Sequence, residues 1–87
     1  MQTKAILLCD KGDNMAKVGK YKEALVYYEK ALQVDPEYAM GWYKKGLAMA
    51  KLNRYNESMT CCERVLEIEP DNTLAKNLID LINKLNI

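Results

Sequence analysis

Two stretches of 34 residues decide how this chain folds: Ala5–Tyr38, AILLCDKGDNMAKVGKYKEALVYYEKALQVDPEY, and Ala39–Asn72, AMGWYKKGLAMAKLNRYNESMTCCERVLEIEPDN. Laid over one another without a gap they agree at eleven positions, namely Ala39, Lys45, Gly46, Met49, Ala50, Lys51, Tyr55, Glu57, Glu63, Leu66 and Pro70. About two matches would arise by chance at average composition. Other pairs keep their character: Ile6/Met40, Val18/Leu52, Lys20/Arg54, Leu25/Met59, Val34/Ile68 and Asp35/Glu69. A period of about 20–50 residues marks stacked units, none of which buries its apolar face alone.

Each unit reads as two helices. Ala5, Leu8, Cys9, Gly12, Met15 and Ala16 fall at helical spacing, and so do Tyr21, Ala24, Leu25, Tyr28, Ala31 and Leu32. Between them stands Gly19, matched by Asn53, the two residue types that best tolerate the left-handed conformation ending a helix. Asp35-Pro36 and Glu69-Pro70 close the second helices, because proline has no N–H and restrains the residue before it. The predicted helices are about 3–18, 21–34, 37–52, 55–68 and 71–85, an all-α chain of antiparallel hairpins. Gly12 and Gly46 fall on the inner face of each first helix, opposite Ala24 and Ser58, where small side chains let two backbones approach. Leu8 or Trp42, Tyr21 or Tyr55, and Tyr28 or Cys62 are expected to fill the space around that contact.

These landmarks resemble the tetratricopeptide repeat, whose loose pattern runs from a bulky residue through Leu-Gly and Tyr to a later Tyr, Ala, an aromatic residue, Ala and Pro. The first unit carries Leu8, Gly12, Gly19, Tyr21, Ala24, Tyr28, Ala31 and Pro36; the second carries Trp42, Gly46, Tyr55 and Pro70. Departures are Lys11 and Lys45 before the glycine, Ser58 for Ala, Cys62 for the aromatic residue and Val65 for Ala. They suggest a looser second unit. The resemblance implies an α-solenoid, a right-handed superhelical stack, here as one domain over 1–87. Repeat 1 would span about 5–38, repeat 2 about 39–72 and a C-terminal capping helix about 73–87.

In that last helix Asp80 stands where the units have Gly12 and Gly46, so another helix could not pack closely there. Asp71 or Thr73 is expected to cap it. Ala75, Ile79 and Ile82 form a line toward the second unit. Leu74, Leu78, Leu81 and Leu85 form a second apolar line, expected to stay partly exposed and open to self-association or a partner.

The resemblance implies a concave face lined by the first helix of each unit and by the last helix. By repeat position its partner-binding residues are Ile6, Asp13, Lys17, Met40, Tyr43, Lys44, Leu47, Lys51, Leu74, Leu78, Leu81 and Leu85, with Cys9, Asp10 and Asn77 beside them. Some could instead be core; the rest would form a groove for an apolar or amphipathic segment, or a dimer surface. Some family members clamp the acidic tails of heat-shock chaperones with Lys, Asn, Asn, Lys and Arg. The corresponding residues here are Cys9, Asp13, Lys44, Leu74 and Leu78, so such tails are not expected. Glu23, Glu29, Glu57, Glu63, Glu67 and Glu69 make the second helices acidic, which would orient an acidic segment toward the first helices.

Composition narrows the function. The 87 residues carry 13 Lys+Arg against 12 Asp+Glu, a net charge of +1, which argues against a nucleic-acid module and its basic excess. There is no His, hence no Ser-His or Cys-His nucleophile pair. No phosphate loop or metal-ligand spacing occurs, and neither enzyme activity nor a cofactor is expected. The longest apolar run, Ala5–Cys9, is far below the ~20 residues of a membrane span, and no secretory signal is expected. Cys9, Cys61 and Cys62 read as reduced packing residues of a cytoplasmic protein, with Cys62 buried. The expected function is protein–protein interaction through the concave face, with a self-associating scaffold unit as the alternative.

Overall fold

The computed structural model describes residues 3–85. Five helices follow one another: α1 (Thr3–Lys17), α2 (Tyr21–Val34), α3 (Ala39–Lys51), α4 (Tyr55–Ile68) and α5 (Thr73–Leu85). All five expected helices form, each end within two residues of its expected place, in an all-helical repeat stack. Positions 1, 2, 86 and 87 of the expected 1–87 domain, and so the end of its 73–87 cap, lie outside the described residues.

The turns repeat as faithfully as the helices. Gly19 has φ 80° and Asn53 φ 62°. In the first, Lys20 N–H bonds to Met15 O at 2.9 Å and Gly19 N–H to Ala16 O at 3.0 Å. In the second, Arg54 N–H bonds to Met49 O at 2.8 Å and Asn53 N–H to Ala50 O at 3.0 Å. This double bond pattern satisfies the last carbonyls of α1 and α3, and only a residue that accepts positive φ completes it. Asp35 and Glu69 end α2 and α4 through bonds to Ala31 O and Val65 O, and the prolines follow at once.

Caps are sparse. Lys20, Tyr38 and Arg54 precede their helices without a side-chain bond. Burial of the apolar stripes therefore holds these helices more than their ends do. The exception is α5, where Asn72 Oδ1 accepts from Ala75 N–H at 2.9 Å while its amide donates to Glu69 Oε1 at 2.8 Å. The cap is thus Asn72, not Asp71 or Thr73. Its side chain is the one whose oxygen reaches the third N–H of the helix. This turn also delays α5 to Thr73, as the equivalent turn after Pro36 delays α3 to Ala39.

The helices form two layers. The first helices, α1, α3 and α5, touch in sequence; α2 and α4 cover them. The smallest extent of the molecule is 16 Å, that of two helix layers about 8–10 Å apart. One core cluster groups Ala5, Cys9, Ala24, Leu25, Tyr28 and Ala31 with Ala48 and Met49 of α3. The other groups Ala39, Cys62, Val65, Ala75, Leu78 and Ile82. Each cluster therefore needs the helix that follows its own hairpin.

The glycines mark the close approaches. A Cβ on Gly12 would lie 2.5 Å from the Tyr28 ring. A Cβ on Gly46 would lie 3.2 Å from Cys61 Cβ and 3.4 Å from Ser58 O. Ser58, fully buried, donates its hydroxyl to Gly46 O at 2.7 Å, so the replacement of Ala carries its own partner.

A second expectation is overturned. Leu78 is only 4% exposed and belongs to the second core cluster. Its Cδ2 comes within 3.6 Å of a Gly46 Cβ. Cys62 occupies the position that Tyr28 fills in the first unit, and the smaller side chain leaves room that Leu78 enters. The inner line of α5 is therefore Ala75, Leu78 and Ile82, with Ile79 half-buried beside it. Only Leu74, Leu81 and Leu85 remain outside, at 44%, 52% and 58% exposure.

Candidate protein-interaction groove

A cavity of about 370 Å³ opens between α1 and α3. The last two turns of α1 contribute Asp13, Ala16 and Lys17; α3 contributes Tyr43, Lys44, Leu47, Ala48 and Lys51; Tyr21 and Tyr28 reach in from α2. The small side chains Ala16 and Ala48 keep it open while the tyrosines wall it.

Its polar centre is a fixed network. Tyr28 donates its hydroxyl to Asp13 Oδ1 at 2.7 Å, and the Lys44 ammonium pairs with Asp13 Oδ2. Both charged side chains are about three-quarters covered. Burial first, and then the Asp13 carboxylate, hold the Tyr28 hydroxyl well above the usual phenol range, so it stays a donor. Burial likewise raises the Tyr43 hydroxyl. Cys9 lies behind this network at 1% exposure. Burial pushes its thiol up to about 11, against the opposing pull of Lys44.

The other two lysines of the cavity differ. Lys17 and Lys51 occupy the last turns of α1 and α3 and are exposed. Neither belongs to an ion pair among the described residues; the lysines that do are Lys44 and Lys45, the latter 3.6 Å from Glu29. The cavity therefore holds one compensated and two uncompensated ammonium groups against an otherwise apolar and aromatic wall.

Six of the twelve sequence-predicted partner residues meet here: Asp13, Lys17, Tyr43, Lys44, Leu47 and Lys51. Met40 lies instead in a second depression of about 420 Å³, with Asp35, Glu37, Tyr38, Glu69 and Asn72. Ile6 is half-buried outside both. Leu74, Leu81 and Leu85 stand free on α5, whereas Leu78 has left the surface for the core. Tyr21 and Tyr28, expected from sequence only as packing residues, also line the cavity. The signal was available for Tyr28, since a large ring opposite Gly12 must extend past the glycine toward the far side of α1.

Solved structures of similar shape carry peptides. The second TPR domain of human RPAP3, determined by NMR in complex with the HSP70 peptide SGPTIEEVD, is 29% identical with a TM-score of 0.88, over 92% of this chain and 67% of that one. The second TPR of Spaghetti (RPAP3), bound to the HSP90 peptide SRMEEVD, has a TM-score of 0.85 over 97% of this chain and 82% of that one. At 24% identity it speaks for the fold alone. Among curated proteins, the human TPR and ankyrin repeat-containing protein 1 is 43% identical over 42 residues, 48% of this chain. The chain spans 1% of that relative's length. A sequence profile described as the tetratricopeptide repeat matches residues 15–82, most of the chain, and with the two hairpins and their shared turns this makes the protein a member of the tetratricopeptide repeat family.

Proposed function

We propose that the protein is a non-catalytic interaction module that binds a segment of a partner protein on the concave face built by α1, α3 and α5. The observation that carries this reading is the cavity between α1 and α3, with its aromatic wall and the two uncompensated ammonium groups of Lys17 and Lys51. Partner-binding residues are Asp13, Lys17, Tyr43, Lys44, Leu47 and Lys51, with Ile6, Met40, Leu74, Leu81 and Leu85 extending the face. Repeats 1 and 2 and the last helix act as one unit. The peptide held by the second TPR domain of human RPAP3 supports a peptide as the class of ligand. The buried thiols support a reducing compartment, which we take to be the cytoplasm.

The RPAP3 relatives carry chaperone peptides ending in EEVD. In this chain the five clamp positions are Cys9, Asp13, Lys44, Leu74 and Leu78; the first and last are buried, and Asp13 and Lys44 satisfy each other. We read the groove as taking another sequence, with the chaperone tail as a direct comparison.

The test captures partners from a lysate of the source, maps the bound segment and follows it by NMR shifts on labelled protein. Shifts centred on Tyr43, Lys17 and Lys51, and lost in Tyr43→Ala, support the reading. Shifts confined to α2 and α4 would refute it. The exposure of Leu74, Leu81 and Leu85 favours a second reading, a homodimer through α5. Light scattering across a concentration series separates the two.

A further inference from the structure

Three repeat columns cross the first-helix layer. At the first position stand Ile6, Met40 and Leu74; at the second Asp13, Leu47 and Leu81; at the third Lys17, Lys51 and Leu85. Every column ends in leucine on α5. Among the residues of these three columns the charges in no ion pair are Lys17 on α1 and Lys51 on α3, while Asp13 is held by Tyr28 and Lys44. The face is thus divided, cationic at one side and aliphatic at the other.

From this division we infer that the occupant is an internal acidic–aliphatic segment of a partner protein. Its carboxylate side chains lie over Lys17 and Lys51, and its aliphatic side chains over Leu81 and Leu85. The inference rests on the reading of this face as a peptide groove and adds direction and composition to it. Charge complementarity selects the acidic end: two ammonium groups without partners beside an apolar wall favour carboxylates and repel a basic segment. The leucines select the other end, because three of them exposed on one helix form an apolar surface that an aliphatic partner removes from water.

A free chain terminus is not the recognised group. The lysine set deepest in the wall, Lys44, is already neutralised, and the carboxylate beside it would oppose a second one. The free ammonium groups sit at the rim, on the last turns of their helices, where a passing side chain reaches them. A second copy of this chain fits less well. Its acidic helices are α2 and α4, and of the large apolar residues exposed among the described residues only Val26 belongs to either.

The experiment uses short synthetic peptides, acetylated and amidated, with a Glu-rich half and a Leu-rich half, read by fluorescence anisotropy. The Glu–Leu peptide binds the wild type. Lys17→Glu with Lys51→Glu weakens it about tenfold or more, as does raising the salt several-fold. Leu81→Asp with Leu85→Asp also weakens it. All four residues are exposed, and circular dichroism verifies that the folds persist. A free-acid version of the peptide binds within about twofold of the amide. The proposal is overturned if the Glu–Leu peptide fails to bind, if a Lys–Leu peptide binds equally, if the charge reversal has no effect, or if the free acid binds at least about tenfold tighter. Binding of any such peptide that is lost in Tyr43→Ala leaves the groove reading standing even then. Peptide binding indifferent to Tyr43→Ala removes both.

Discussion

Shifted by one repeat, Asp13, Tyr28 and Lys44 become Leu47, Cys62 and Leu78. The same three places meet at two junctions of the stack, once as a polar node between the units and once as an apolar node between the second unit and α5. At the first, the Tyr28 ring fills the space over Gly12 and its hydroxyl ends in a carboxylate that also holds Lys44. At the second, Cys62 is too small to fill the space, and Leu78 from the next helix does so. One backbone scaffold thus accepts either solution, provided that volume lost on one helix returns on another. The solutions are not equivalent for function. The polar node stands beside a walled cavity, whereas the apolar node buries Cys62 and Leu78.

The strongest test of this contrast is Leu78→Ala, expected to cost about 2–5 kcal/mol as a core truncation. Leu81→Ala, on the same helix, should stay within about 0.5 kcal/mol. Urea unfolding of both variants measures the difference. Equal costs would return Leu78 to the surface and dissolve the second node.

Next in size is the pair of glycines. Gly12→Ala forces its methyl into the Tyr28 ring and should cost about 1–3 kcal/mol. Gly46→Ala meets its neighbours at 3.2 Å and beyond. Its strain is largely offset by the roughly 0.5–1 kcal/mol that alanine gains over glycine in a helix. Denaturant midpoints should rank wild type and Gly46→Ala close together and Gly12→Ala well below.

A smaller effect comes from rebuilding one node as the other. Lys44→Leu alone leaves Asp13 three-quarters covered without its counter-charge and should cost about 1–2 kcal/mol, less than the 3–5 kcal/mol of a fully buried pair. Asp13→Leu combined with Lys44→Leu removes both charges and should recover part of that loss, the remainder being the Tyr28 hydroxyl left without its acceptor. A double-mutant cycle reads the coupling. Simple additivity would mean that the two residues do not act as a unit.

The last effect is nil at neutral pH and emerges only in alkali. Burial holds the thiols of Cys9, Cys61 and Cys62 at about 11, above their ordinary value of 9.0. Below pH 9 both folded and unfolded chains keep these thiols protonated, and their contribution is fully present. Between pH 9 and 11 the unfolded chain loses protons that the folded chain retains, so stability falls as pH rises. Thermal melts should be flat in this respect up to about pH 9 and decline above it, with native thiols labelling far more slowly than those in urea.

The helices and turns were legible because their determinants are local and occur twice: Gly19 with Asn53, and Pro36 with Pro70. Six of the twelve expected partner residues line one cavity for the same reason, since repeat position fixes which side of a helix they occupy. Leu78 was not. On α5 the leucine line and the alanine–isoleucine line lie next to each other around the helix, and both are apolar. What chooses between them is the room left by Cys62, sixteen positions earlier on another helix. The Asp13–Lys44 pair was hidden likewise, because its partners come from different repeats and each reads alone as a solvated charge.

The order of contacts has a kinetic consequence. Among the described residues no helix touches another more than two places away along the chain: α1 meets α2 and α3, and α5 meets α3 and α4. Every loop that must close during folding is therefore short, and the entropy lost before a contact forms is small. Such local topologies fold in about microseconds to milliseconds. The stack can also open from an end without disturbing the rest. Release of α5 strips Leu78 from Cys62 while leaving the Tyr28–Asp13–Lys44 network and the first core cluster in place. Amide exchange along the chain thus becomes graded, fastest in α5, with α2 and α3 protected longest.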